Sequence, residues 1–208
     1  MPTATGQDVV DQARILLQDV TSGGVRWPDA EMLYWVNAGQ EEIARLKPAA
    51  SAQTTVVAMV EGTRQSLPAG GFALIDVVRN MGTGGSTPGR AIRRIEKDIM
   101  DQQNPSWHTV TGVAEMRHFM YDPQNPLEFL CYPPQPSSGQ GQVEMIWADT
   151  PTALGTLSAT LTLEDIYTNA LVNYVMFRAL SKDSTYTKEG VDPQSYYTQM
   201  VSAIGATI

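Results

Sequence analysis

With one cysteine and two histidines in 208 residues, the chain has little with which to do chemistry. The lone thiol, Cys131, excludes a disulfide within the chain and suits a reducing compartment. No cation stands beside it in sequence to lower its pKa, so it reads as a small buried hydrophobe in a strand. His108 and His118 lie ten positions apart, without cysteines or clustered carboxylates at ligand spacing, so neither a zinc site nor an imidazole base with its orienting partner can be assembled. There is no Gly-x-Ser-x-Gly elbow to present a serine. The carboxylate pairs Glu41-Glu42 and Glu164-Asp165 fall where a solvated helix face or dipole compensation explains them. We therefore expect no enzyme and no cofactor.

Bases are also scarce. Fourteen Lys and Arg against 22 Asp and Glu give a net charge of −8, which argues against gripping a nucleic-acid duplex, where affinity comes from cations on phosphate. The acids are spread along the chain, and there is no charged tail. The one basic cluster, Arg90, Arg93, Arg94 and Lys97, would be split by strand alternation, with Arg93 and Arg94 on opposite faces. Long apolar runs are missing too: none approaches the ~18 residues of a membrane span, and Met1 to Gln7 shows neither a basic region nor an apolar core of a leader. The expectation is a protein made in the cytosol that stays there until it joins an assembly, with no membrane partner.

What is present is a 42% hydrophobic chain, enough for one sizeable core or two small ones. Thr5 and Asp8 read as a helix start, with Val9, Ala13, Leu16 and Val20 at helical spacing and Gly23-Gly24 as the stop. A second helix starts at Pro28, buries Met32, Trp35, Val36, Gly39, Ile43 and Leu46, pairs Glu41 with Arg45, and ends at Pro48. Gly39 within it implies close approach by a partner helix. After Pro48 the texture becomes β-rich: runs at 54–60, 65–67, 73–78, 91–95, 117–121, 127–132 and 143–147 alternate with Gly, Pro and Asn punctuation, with one or two helical turns over 96–103. The loops 80–89 and 133–142 are Gly-, Ser- and Pro-rich and should project. Helical texture returns at Thr162, whose spacing to Asp165 resembles a capping box, with Ile166, Ala170, Tyr174 and Phe177 on one face. Asp192-Pro193 opens a last helix carrying Tyr196, Tyr197, Met200, Val201 and Ile204, ended by Gly205. Two helical pairs, each near the lower size limit for a core, are most economically packed together. The fold class is α+β: a helical bundle from residues 1–50 and 149–208, with an inserted antiparallel β-sandwich or barrel over 51–148.

The nearest approach to a binding motif is Gly82 to Ala91, where Gly84 and Gly89 have phosphate-loop spacing. Arg90 occupies the lysine position, Ala91 the magnesium hydroxyl position, Pro88 removes an amide, and a β-run follows instead of a helix, so the segment reads as a hairpin tip.

The segment from Val25 to Pro48, with Trp27, Asp29, Leu33, Trp35, an Asn37-x-x-Gln40 core and the proline stop, resembles the head-to-tail adaptor (connector) proteins of tailed bacteriophages. Ala170 to Asp183, followed by a Tyr-bearing helix, is similar to their last two helices. The resemblance covers about half of the chain, at its two ends. It implies a virion structural protein, held in the host cytoplasm during assembly and then at the head–tail interface: a ring of copies, commonly twelve, beneath the portal protein, extending the DNA channel and giving tail or nozzle proteins a platform. Genomic DNA would pass through without sequence-specific binding, which an acidic wall favours during ejection. On this reading Trp27 packs before the second helix, Asn37 and Gln40 bond neighbouring loops or the next subunit, and Arg178 pairs with a carboxylate. With Gly84 and Gly85 in the projecting loop and Ile208 in the C-terminal segment, these are the candidate interface residues. Two other readings remain open: a tail-side completion or tail-tube protein, and a β-domain module that stacks host carbohydrate on Trp107, Tyr121, Tyr132 and Trp147.

Overall fold

The computed structural model describes residues 2–20, 26–137, 139–182 and 192–206. The chain divides into two compact units, Met1–Ser51 with Pro151–Ile208, and Ala52–Thr150.

The first unit is helical. Its first helix, α1, spans Gly6–Leu16, and its start is a full capping box: the Thr5 hydroxyl accepts from the Asp8 amide, and the Asp8 carboxylate accepts from the Thr5 amide at 2.7 Å. These bonds hold the Asp8 carboxyl below its ordinary pKa. Val9, Val10, Ala13 and Leu17 are buried, whereas Leu16 and Val20, expected on the inner face, are 59% and 74% exposed. Three consecutive apolar residues, Ile15 to Leu17, allow more than one phase, and the stripe set by Val9 and Ala13 turns Leu17 inward. Gln18 then takes a positive φ of 54° and breaks the helix. The expected stop at Gly23-Gly24 lies outside the described residues.

The second helix, α2, spans Asp29–Leu46 and buries Met32, Trp35, Val36, Gly39 and Ile43 as expected. Its wet-side ion pair joins Glu42 to Arg45 at 2.6 Å, three residues apart, in place of the expected Glu41–Arg45. Glu42 is chosen because the Tyr197 hydroxyl also donates to it, at 2.7 Å. Two more helices follow in this unit: α4, Thr168–Lys182, and α5, Pro193–Ala203. The expected Asp192 cap is present, its carboxylate accepting from Gln194 N. Helix α4 is central, packing on α1, α2 and α5.

Residues 2–7 run along 157–165 instead of hanging free. Gly6 and Gln7 donate to the carbonyls of Ala159 and Leu157, and Leu161 donates to that of Ala4. Asp165 completes the strap, accepting from Thr3 N, Thr3 Oγ1 and Ala4 N at 2.6–2.9 Å. It therefore caps the N-terminal segment and not its own helix. Thr162 gives its hydroxyl proton to Thr152 O, and Ile166 is 78% exposed, so the expected Thr162–Asp165 capping box does not form.

The second unit is two packed sheets. Strands β1 (Ala52–Ala58), β3 (Gly71–Asn80) and β7 (Gln142–Asp149) form one sheet in the order β1-β7-β3. Strands β2 (Gly62–Ser66), β4 (Arg93–Arg94), β5 (His118–Met120) and β6 (Glu128–Gln135) form the other in the order β2-β6-β5-β4. Leu74, Val77, Val143, Met145 and Trp147 of the first sheet meet Phe119, Phe129 and Cys131 of the second in one core, the alternation expected of a sandwich. The pairing is antiparallel except for β4 and β5, which run parallel. The connection over 95–117 is long enough for that crossover and contains α3 (Lys97–Gln103). Met100 and Trp107 of this connection cover the outer face of the second sheet at Met120, forming a second small core.

Candidate functional site

The cysteine and histidines singled out as candidates for chemistry lie in the second unit. Burial pushes the Cys131 thiol up to about 12, and its sulfur sits near the Gln65 amide and the Gly62 carbonyl. Burial is also the main cause that lowers the His118 pKa, opposed by a hydrogen bond with the Arg93 backbone, and its Nδ1 is buried without a partner. His108 lies against Trp107 and hydrogen-bonds Thr63. Among the described residues no group of His, Cys, Asp or Glu is arranged to hold a metal ion, and no helix is long and apolar enough to cross a membrane.

A cleft of about 440 Å³ lies on the second unit, between β2, β6 and the start of α3. Its cations are already engaged: Arg64 meets Glu128 at 3.3 Å, Arg94 donates to Tyr121 O at 3.2 Å, and Lys97 meets Asp101 at 2.5 Å. Among the described residues, no buried polar side-chain atom without a partner lines it. Of the aromatics considered for carbohydrate stacking, Trp107 and Trp147 are buried, and their indole N–H groups donate to Asp101 and Thr55.

The residues singled out at the two helical ends come together inside the first unit. Trp27 is 2% exposed in the helical core. Its carbonyl accepts from Arg14, and the Arg26 guanidinium lies 5.0 Å from its ring centre. Asn37 clamps the backbone of one residue: its Nδ2 donates to Leu154 O at 3.1 Å, and its Oδ1 accepts from Leu154 N at 2.8 Å. Gln40 Oε1 accepts from Thr162 N and Leu163 N. The Asn-x-x-Gln spacing thus puts two amides on one face of α2, where they hold the loop leading to α4. Arg178 is half-buried and hydrogen-bonds the Tyr174 hydroxyl.

The loop with Gly84 and Gly85 folds back on its own sheet. Gln142 Nε2 donates to Thr83 O, and a side chain at Gly85, whose φ is +69°, would run into Gln142 and Val56. A side chain at Gly84 would meet only the Ser86 hydroxyl, at 3.8 Å. Ile208 lies outside the described residues.

Sequence reasoning missed Arg14. It is buried at the end of α1, bonds Asp19 at 3.1 Å and Asp29 at 2.5 Å, and so ties the two ends of the connection between α1 and α2. An arginine in an otherwise apolar helix face was the available signal.

What the surface offers is contact area. Ile15, Leu16 and Val20 are exposed at the end of α1, Tyr34 on α2, and strand β1 is exposed over nearly its whole length. The sequence model of the SU10 adaptor protein family matches residues 4–207, nearly the whole chain and both units. The chain belongs to the SU10 adaptor protein family. It is accordingly a phage structural protein of the adaptor type, which interacts with other head or tail proteins and is located in the virion. No curated protein matches the chain.

Proposed function

We propose that this SU10 adaptor joins head to tail: copies assemble as a ring, twelve in number, on the portal protein, extend the DNA channel and carry the tail or nozzle proteins. The observation that carries the reading is the family match over 4–207. The physical character of the chain supports it. A net charge of −8 suits a wall past which DNA slides, because a basic wall would hold phosphates through counterion release. Exposed Ile15, Leu16, Val20 and Tyr34 on the helical unit are the apolar residues that a heterologous ring contact would bury. Trp27, Asn37 and Gln40 then act on the interface indirectly, by fixing α2 and the 154–163 loop that present it. Gly84 and Ile208 remain candidates for direct contact.

Such interfaces close on a template, so the chain alone is expected to sediment as a monomer and to form a ring when mixed with the portal. Imaging of the mixture tests the proposal. A complex without rotational order, or particles that retain DNA and bind tails after deletion of the protein, would sink it.

A further inference from the structure

Strand β1 is an unprotected sheet edge. Its seven residues, Ala-Gln-Thr-Thr-Val-Val-Ala, carry no charge and no proline, and they pair with β7 in unbroken register from Ala52↔Ala148 to Ala58↔Gln142. Beyond that ladder no residue of 52–58 has a backbone hydrogen bond among the described residues. A flat, uncharged edge of this length is a template for another strand, and proteins ordinarily blunt such edges.

The other edges of this unit are blunted. Strand β3 is bridged on its free side by Arg79↔Ala91 and by Asn80 N to Arg90 O, and its Leu74 amide donates to the Tyr121 hydroxyl. Strand β2 has five residues, an exposed arginine and a bulge between Gly62 and Arg64. Strand β4 has two residues, both arginine. Among the described strands only β1 is left open, although one lysine would have closed it.

We infer that β1 is completed in the assembled particle by an extended, uncharged segment of a different protein, which adds a strand to the β1-β7-β3 sheet. A second copy of the chain is the natural alternative, and symmetry argues against it. A copy offering a different edge has no open one to offer. A copy offering β1 pairs antiparallel about Thr55, which closes a two-fold dimer and cannot propagate around a ring. This step rests on the adaptor reading. The incoming strand would gain main-chain hydrogen bonds along 52–58, with small and β-branched side chains meeting Thr54 and Val56 on the outer face. On the other face it would meet Thr55 and Val57, whose side chains turn toward the sandwich core.

Hydrogen exchange on the free chain and on complete virions tests it, together with Thr54→Lys/Val56→Lys, which charges the outer face while leaving the β7 ladder intact. Alternate amides of 52–58 should exchange freely in the isolated protein and at least about tenfold more slowly in virions. The double variant should melt like the wild type and fail to complement particles lacking the protein. Wild-type chain that enters virions with 52–58 still exchanging freely overturns the strand addition and leaves the adaptor reading standing. So does a double variant that complements normally. A purified wild-type dimer already protected at 52–58, made monomeric by the substitutions, makes the occupant a second copy and overturns the proposal. Wild-type chain absent from virions removes the adaptor reading itself, and this inference with it. The exchange comparison needs only wild-type protein, so a variant that misfolds does not protect the idea.

Discussion

At the scale of single residues, the first unit depends on one buried charge. Arg14 is 7% exposed, and Asp19, its closest partner by burial, is 8% exposed. Removing the guanidinium leaves a buried carboxylate without its cation, which typically costs about 3–5 kcal/mol. Arg14→Met should therefore lower the urea midpoint sharply, and Arg14→Met/Asp19→Asn should recover part of the loss. If the two substitutions are simply additive, the pair is not the source of the effect. Cys131 offers a second check on burial. With its thiol pushed up to about 12, about one in ten thousand is ionised at pH 8, so a thiol reagent should react slowly with the folded chain and quickly in urea. Rapid reaction in the native state would mean that the strand carrying it opens readily.

Among the elements, the crossing of α2 and α4 is set by a glycine. A Cβ at Gly39 would stand 3.0 Å from Tyr174 Cδ1 and 3.1 Å from Leu171 Cδ2. Both neighbours are buried and ringed by other side chains, so a large residue has nowhere to go. Gly39→Leu should destabilise the chain by about 1–3 kcal/mol in chemical unfolding, despite the better helix propensity of leucine. That close approach was legible in the sequence, because a glycine at a core position of a strongly patterned helix sacrifices helix propensity and buried area, a loss that close packing against a neighbour offsets. The seven β-runs and the α2 and α5 boundaries were legible because periodicity and turn residues act locally. What was not legible depends on distant partners. Leu16 and Val20 have the right spacing to be buried, but so has Leu17, and three apolar residues in a row leave the phase open until α1 packs into the helical core. Asp165 sits at capping distance from Thr162, yet its partners are Thr3 and Ala4, 162 and 161 residues away in sequence. The pairing partner of each strand was likewise hidden. Nothing in Ala52 to Ala58 says that it is an edge; that follows only from where β7 and β3 lie. At the candidate site, Asn37 and Gln40 announced a polar task by their spacing on α2, while Leu154 and Thr162 as their targets did not.

For the whole molecule, the order of elements carries a consequence for folding. The β unit is entered at Ala52 and left at Thr150, and its first and last strands are neighbours, with Ala52 paired to Ala148. Entry and exit are therefore about one strand spacing apart, roughly 5 Å. A unit with adjacent ends and its own core, from Met59 through Trp147, has the properties of a domain that can be inserted or removed. The helical unit has its own core too, which joins Val9, Val36 and Ile43 to Leu171, Val175 and Met200 from the far end of the sequence. Two outcomes are expected. Residues 52–150 expressed alone should give β-type circular dichroism and a single cooperative urea transition. Residues 1–51 joined to 151–208 by a short Gly-Ser linker should remain helical, because the linker has only that small gap to span and a short flexible loop costs little closure entropy. Were the excised β unit to stay unfolded, its two-sheet core would depend on the helical unit for stability. In that case unfolding of the full chain should show one transition in which β and helical signals change together.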